Sequence, residues 1–425
     1  MAIFENEPAM QKWLKGMFDQ GEQLGDLVLV SDEVHNGKFS SEDQRAIQAS
    51  FQYILEFAYC TEVMAADANI SATKSEVLRP DFVLYAPEAQ GIMVVELKNF
   101  SAATRETGTE IGAYAGEIRS QLPFIADADV MSVIISPEWP TLLRHYVVQE
   151  IYWRRRKVLC LQPVEVDGEV RLETVDIEFL AAGNISLKAA AHYLGGYHIC
   201  LYDDELQAGS EDRERLTPYE EQMRTALRVL ATEGEAHGLT GFAFLWKDKW
   251  EQSLAPYMIT LVNFAPFQQL DQILRRKNGW ETATDFQRTM MEINAEFDPQ
   301  GHTGALMAQT RAIDSILERF CRPMPEGFNS WVDLRRQMWP RVERMVAFET
   351  WGAFTPRYLD MLRGAYKVGN GFEYSHGELG WDFVESIVDY SAEPPYWPML
   401  FGDDEDEDMD FDDINDGDGF DMGDD

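Results

Sequence analysis

Three side chains that can bind a cation or supply a charge lie at the ends of two short apolar segments. Asp81 begins the segment 81–85, and Glu96 and Lys98 lie at the end of the segment 92–98. Both segments are rich in β-branched and aromatic residues and are separated by a turn, which predicts neighbouring strands. Side chains alternate along a strand, so Glu96 and Lys98 share one face. Because two close carboxylates repel each other, this arrangement predicts a site for a hard divalent cation, with Mg²⁺ the first candidate.

The pattern of these residues resembles that of the PD-(D/E)XK nuclease superfamily. The matching residues are Pro80-Asp81, then 14 intervening residues, then Glu96-Leu97-Lys98. The resemblance implies a Mg²⁺-dependent phosphodiesterase, with Mn²⁺ as an alternative cation. It implies that Asp81, Glu96 and the main-chain carbonyl of Leu97 hold the metal. It also implies that Lys98 orients and polarises the attacking water.

Helical and strand-like segments alternate across residues 41–162, the region that the resemblance covers. Their order, α-β-β-β-α-β-α-β, predicts an α/β fold with a restriction-endonuclease-like mixed sheet flanked by helices. In the family, an acid on the first helix sometimes completes the site. Glu56 is the candidate here, although such a glutamate is more often simply solvated, and Glu62 on the following strand-like segment is a weaker alternative.

Two further features beyond Lys98 leave alternatives open. The family often carries a glutamine and a tyrosine on the next helix, and Tyr114 and Gln121 are the candidates, although their order and spacing differ from the family pattern. The densest basic run of the chain is residues 153–157. It either contacts phosphate beside the site or complements the dipole at the carboxyl end of a helix.

The chain of 425 residues is long enough for more than one domain. We predict an N-terminal helical extension at 1–40, a nuclease-like domain at 41–179, a linker at 180–215, a mainly helical domain at 216–402 and a disordered acidic tail at 403–425. No apolar run is long enough for a membrane span. The four cysteines are far apart and form no CxxC pair, which argues against a zinc site and favours reduced thiols in a cytoplasmic protein.

The formal net charge of -38 is unusual for a protein that binds nucleic acid. The tail holds 14 of the acids and no base, which leaves -24 on the rest of the chain. Contact with nucleic acid therefore requires a local cationic surface, or a homo-oligomer that concentrates one.

The tail segment 409–413 resembles the acidic tails of bacterial single-stranded-DNA-binding proteins, but it lacks their terminal Pro-Phe. One hypothesis is that the tail covers a cationic surface of its own chain and lowers activity until substrate or a protein partner displaces it. A plain solubilising role is the alternative.

Together these features predict a Mg²⁺-dependent endonuclease, with DNA favoured and RNA not excluded as substrate. Superfamily nucleases with large appended domains often serve in restriction or anti-phage defence, which makes a regulated defence effector the expected role by analogy. The alternative from another class is a catalytically inactive acidic protein on a nuclease-like fold, which binds a partner by mimicking nucleic acid.

Overall fold

The fold is described from a computed structural model of the chain. The structure describes residues 3–73, 77–99, 104–181, 188–264, 279–297, 303–367 and 376–390. The chain divides into two compact units, Met1–Ser186 and Leu187–Asp425. None of the described helices combines the length and the apolar character needed to cross a membrane. The acidic tail lies outside the described residues.

The first unit is a mixed sheet with helices packed on it. Its strands are β1 (Val28–Leu29), β2 (Glu62–Ala66), β3 (Phe82–Ala86), β4 (Gly91–Leu97), β5 (Val130–Ile135), β6 (Val158–Val166) and β7 (Glu169–Thr174). Its helices are α1 (Glu7–Asp19), α2 (Leu24–Leu27), α3 (Asp32–Asn36), α4 (Glu42–Phe57), α5 (Thr104–Gln121), α6 (Thr141–Val148) and α7 (Ile177–Leu180). A single π-helical turn, Gln149–Trp153, follows α6.

The seven strands lie in the order β1-β7-β6-β5-β4-β3-β2. Strands β4, β5 and β6 are parallel, whereas β2 and β3 run antiparallel at one edge. Every residue of β4 is buried, as expected for a central strand covered by helices on both faces. The predicted α/β class and the predicted order of elements across residues 41–162 are therefore confirmed.

The predicted N-terminal extension at 1–40 is wrong, because these residues are part of the first unit. Met10 and Leu14 on α1 are completely buried in its hydrophobic core. Strand β1 adds to the sheet by pairing in parallel with β7. The helical stripe of Met10, Trp13, Leu14 and Phe18 predicts a helix that docks on the core, but it does not predict the contacts of α1 with Asp81 and Phe82.

The second unit is built around an antiparallel sheet. Its strands are β8 (Ala189–Ala190), β9 (Leu194–Tyr202), β10 (Gly241–Asp248), β11 (Tyr257–Phe264), β12 (Arg322–Ser330), β13 (Val342–Trp351) and β14 (Val388–Asp389). Its described helices are α8 (Asp204–Gln207), α9 (Glu220–Ala236), α10 (Gly279–Thr282), α11 (Asp285–Phe297), α12 (Thr303–Leu317), α13 (Trp331–Met338), α14 (Phe354–Lys367) and α15 (His376–Ile387). Five strands form the main sheet in the order β12-β9-β11-β10-β13.

The predicted linker at 180–215 is wrong, because β9 is an interior strand of this sheet. The pair Gly195-Gly196 is typical of a loop, but a Cβ on Gly196 would lie 1.8 Å from the carbonyl oxygen of Leu261 on β11. The glycine therefore permits close approach of two strands rather than a turn. The charged run 210–215 is also fixed: Arg213 donates to three carbonyls of residues 250–253, and Arg215 pairs with Asp203.

Helices hold more of the described residues of 216–402 than strands do, but the description as mainly helical missed β12 and β13, which this segment adds to the sheet. The apolar segments 242–246 and 258–264 are strand-like in sequence and are present as β10 and β11. The helical spacing across 330–349 predicts one helix, but the structure divides this segment between a helix and a strand. Helix α13 ends at Met338, and β13 begins at Val342. Both faces of the central part of β13 are buried, so its sequence lacks the apolar–polar alternation of a half-exposed strand.

Candidate active site

Strands β3 and β4 bring Asp81 to the end of β4. Phe82 pairs with Val95 across the two strands, so the preceding residue, Asp81, lies beside Glu96. The carboxylate of Asp81 is held at both oxygens: the main-chain N–H of Leu97 donates to Oδ2 at 2.8 Å, and Nε2 of Gln11 donates to Oδ1 at 3.1 Å. The predicted approach of Asp81 to Glu96 is present in the fold.

Glu96 and Lys98 form a buried pair on the same face of β4. Lys98 Nζ lies 2.7 Å from Glu96 Oε1, and it also lies 2.9 Å from Glu110 Oε2 on α5. The side chains of Lys98 and Glu96 are only 6% and 4% exposed. The second oxygen of Glu96, Oε2, is buried and accepts no hydrogen bond from the part of the chain that the structure describes.

The electrostatics of the cluster raise the pKa values of both carboxyl groups when no cation is bound. Burial raises the pKa of Asp81 to about 6, against the hydrogen bond from Leu97, which lowers it. Burial and the charge of Asp81 raise the pKa of Glu96 to about 8. Burial alone lowers the pKa of Lys98, but attraction by Glu96 and Glu110 outweighs it, so the net shift is upward. Lys98 therefore remains a cation throughout the physiological range.

The residues fit a divalent cation through their donor set and through the unsatisfied oxygen of Glu96. A buried carboxylate oxygen without a partner is costly, and a hard cation with oxygen ligands removes that cost. Among the described residues, no group of three or more His, Cys, Asp and Glu side chains is arranged to hold a metal. The metal ligands that the resemblance implies are two carboxylates, Asp81 and Glu96, and the main-chain carbonyl of Leu97.

Glu56 lies away from this cluster. It is exposed on α4, where it and Asp129 contribute to the raised pKa of Tyr53, which is mainly due to burial. Asp129 directly precedes β5, whereas Glu96 pairs with Ile134 near the end of that strand. At about 3.3 Å per residue, this places Glu56 near the opposite end of the sheet from Glu96.

The other predicted acid, Glu62, is exposed on the edge strand β2 and pairs with Tyr85. Tyr85 in turn pairs with Ile92, at the beginning of β4 rather than its end. Neither Glu56 nor Glu62 therefore lies close to Asp81 and Glu96.

Glu7, Gln11 and Glu110 occupy the surroundings of the site, and sequence reasoning missed all three. Glu7 is the first residue of α1, and burial raises its pKa, with Lys98 lowering it and Glu110 raising it. The signals in the sequence are weak. Asn6 marks the start of α1 by capping it, and Glu110 lies one helical turn before Tyr114.

Tyr114 lies near the cluster, whereas Gln121 does not. The hydroxyl of Tyr114 donates to the carbonyl of Arg79 at 3.1 Å, and burial followed by the charges of Glu96 and Glu110 raises its pKa. Gln121 instead donates to the carbonyl of Ile70 and to Glu117, away from the site.

The basic run 153–157 lies at the end of the sheet where β5 and β6 begin. The N–H of Ser132, near the start of β5, donates to the carbonyl of Lys157 at 2.9 Å. Arg154 and Arg156 neutralise the two oxygens of the buried Glu150 at 2.6 and 2.9 Å. The structure therefore gives this run a local role at the helix end and does not place it beside Glu96.

Comparison with protein-family models, with curated proteins and with solved structures finds no significant match to this chain.

Proposed function

We propose that the first unit hydrolyses phosphodiester bonds of nucleic acid as a Mg²⁺-dependent endonuclease, with DNA as the favoured substrate and RNA as the alternative. The observation that carries the proposal is the convergence of Asp81, Glu96 and Lys98 at the end of β4, with one oxygen of Glu96 left without a partner. Carboxylates with raised pKa values next to a lysine are typical of functional sites rather than of stable cores.

The proposed roles follow from what each side chain offers. Asp81 and Glu96, with the carbonyl of Leu97, would hold Mg²⁺ or Mn²⁺, which when bound stabilises the negative charge that builds on the phosphate. Lys98 has a raised pKa, so it donates hydrogen bonds and positive charge and does not serve as a base. It therefore suits orientation of the attacking water and stabilisation of the charge on the pentavalent phosphorus.

Residues from two helices support these three. Gln11 fixes the rotation of the Asp81 carboxylate by donating to one oxygen, while Leu97 donates to the other. Glu110 holds the ammonium group of Lys98 from the side opposite to the strand. Partners of this kind orient the groups that bind the metal and keep their geometry in the absence of substrate.

The test is a cleavage assay with the full-length chain on supercoiled plasmid, single-stranded DNA and RNA, each with Mg²⁺, with Mn²⁺ and with a chelator. We expect metal-dependent cleavage that Glu96→Ala abolishes and that Lys98→Met lowers by roughly 10²–10³-fold, as for removal of an electrostatic donor in other enzymes. Glu56→Gln is the matched control and should retain full activity.

Two observations favour a second candidate, an acidic protein that binds a partner in place of nucleic acid. The ammonium of Lys98 is engaged by two carboxylates, and the formal net charge of the chain is -38. A cluster that serves only as a buried ion network predicts no cleavage with either metal. In that case the chain should instead bind basic proteins with strong salt dependence.

A further inference from the structure

A groove of about 490 Å³ opens on the second unit. It lies between the end of α13, the beginning of β13 and the first turns of α15. Two tryptophans and three acids line it together with one arginine: Trp339, Trp381, Glu343, Glu378, Asp382 and Arg344. Its volume falls in the range of sites that enclose a small ligand or part of a peptide.

The tryptophans present an aromatic surface to the groove. The rings of Trp339 and Trp381 stack with centroids 4.6 Å apart and an angle of 26°. Trp339 is 59% exposed, so part of its indole ring is open to a ligand. The guanidinium carbon of Arg335 lies 5.4 Å from the ring centroid of Trp381, so this aromatic pair already stacks against one guanidinium of its own chain.

The acids give the same groove a negative potential. Glu378 and Asp382 are one helical turn apart on α15, so they lie on the same side of that helix. The positive charge of Arg344 is engaged by Glu220. Three carboxylates against one guanidinium give the lining a formal charge of -2, so the groove favours a cation over an anion.

Glu343 reaches the groove because the register of β13 is interrupted there. Val342 pairs with Asp248 and Arg344 pairs with Lys247, which leaves Glu343 without an opposite residue. Such a bulge redirects the side chain of the extra residue, and bulges are frequent beside binding sites. Glu343 also contacts Lys247 at 3.4 Å, so it keeps a partner when no ligand is present.

We propose that this groove binds an arginine side chain of a basic peptide segment from another protein. A planar guanidinium stacks on an exposed indole and at the same time donates to carboxylates at the rim, whereas an ammonium group offers only a point charge. The volume leaves room for the residues that flank the arginine. This inference does not depend on the proposed activity of the first unit.

The test measures fluorescence anisotropy of a labelled peptide of alternating glycine and arginine, titrated with the full-length chain. Physiological ionic strength limits attraction by the acids outside the groove, because charges more than about 8 Å apart are then largely screened. We expect Trp339→Ala to weaken binding by roughly three- to thirtyfold, which is the size of a cation–π contact. The double variant Glu378→Gln/Asp382→Asn should weaken binding at least as much, and a lysine version of the peptide should bind less tightly.

Matched controls separate the groove from the general acidity of the chain. Trp250→Ala removes a tryptophan of the same unit that is 53% exposed but does not line the groove. Glu221→Gln/Asp360→Asn removes two exposed acids from the unit and leaves the groove intact. Retained affinity in both controls supports the proposal. It is overturned if the controls weaken binding as much as the groove variants, if the lysine peptide binds equally well, or if neither peptide binds.

Discussion

Two buried acids, Glu96 of the first unit and Asp203 of the second, differ in how fully their carboxylate oxygens are hydrogen-bonded. Both oxygens of Asp203 accept hydrogen bonds from Nε of Arg215, each at 2.8 Å, and the N–H of Glu205 donates to one of them as well. Glu96 has a lysine at one oxygen, a nearby carboxylate in Asp81, and an Oε2 atom without a hydrogen bond. The fold alone therefore satisfies both oxygens of Asp203, whereas within the described part of the chain it satisfies only one oxygen of Glu96.

The same contrast exists within the first unit. Glu150 is as buried as Glu96, yet Arg154 and Arg156 occupy its two oxygens. Burial of a carboxylate therefore does not by itself indicate a functional site.

An unpaired oxygen does not indicate a functional site by itself either, because Oδ2 of the buried Asp43 on α4 also lacks a hydrogen bond within the described residues. Glu96 differs in combining its unpaired oxygen with a second carboxylate, Asp81, and with Lys98, and the predictions below test this distinction.

The largest effect should follow from breaking the satisfied pair. Asp203→Asn leaves Arg215 without its partner and should cost about 3 kcal/mol of stability, at the lower end for a buried ion pair because Arg215 retains some contact with water. Denaturant unfolding of the full-length chain measures this loss in the transition of the second unit. Glu205→Gln, at an exposed neighbour, is the control and should change the midpoint little.

Addition of Mg²⁺ should stabilise the wild-type first unit and leave Glu96→Gln unaffected. A cation that binds only the folded state at a hundredfold excess over its Kd adds about 2.7 kcal/mol. Thermal unfolding with and without Mg²⁺ measures the difference between the two proteins. Equal stabilisation of both would mean that the cation binds the folded state at a site that does not need Glu96.

Loss of the support for Asp81 should have an intermediate effect. Gln11→Ala frees Oδ1 of Asp81 and should lower metal-dependent cleavage by roughly 10–100-fold, as loss of a group that orients a metal ligand does in other proteins. The matched control is Gln20→Ala at the C-cap of the same helix, where the side chain donates to the carbonyl of Gly16. Unchanged activity in Gln11→Ala would show that α1 does not support the Asp81 carboxylate in catalysis.

A smaller effect concerns pH in the metal-free protein. The folded-state pKa values of Asp81 and Glu96 are raised from 3.8 to about 6 and from 4.5 to about 8, so the unfolded chain releases these protons at lower pH than the folded chain does. Their contribution to stability is therefore present below the unfolded pKa values and is lost as pH rises through the folded ones. Denaturant midpoints should fall over this window, and Glu96→Gln should flatten the slope. A midpoint that rises with pH in the wild type, relative to the variant, would contradict the assignment.

The strands of the site could be predicted because the local sequence determines them. Short β-branched and aromatic segments around a turn indicate paired strands, and alternation along β4 places Glu96 and Lys98 on one face. The supporting residues could not be predicted in the same way. Glu7 and Gln11 reach the site only because Met10 and Leu14 bury α1 against the sheet, which is a tertiary contact without a local signal.

The second unit shows why the rest of the fold was misjudged. In β9, Gly195-Gly196 is typical of a loop, but it permits close packing against β11. In β13, the buried central residues remove the alternation that distinguishes a half-exposed strand from a helix. In both strands the decisive information is which neighbour packs on the segment, and a single sequence does not state that.

The most direct test of the central claim is calorimetric titration of the full-length chain with Mg²⁺ at neutral pH, in buffers of different ionisation enthalpy. Because burial and Asp81 raise the pKa of Glu96 to about 8, cation binding at this pair should release a proton to the buffer. We predict one binding event with proton release in the wild type, and its loss in Glu96→Gln. Identical heats and identical proton release in the two proteins would contradict the claim that Asp81 and Glu96 form a cation site.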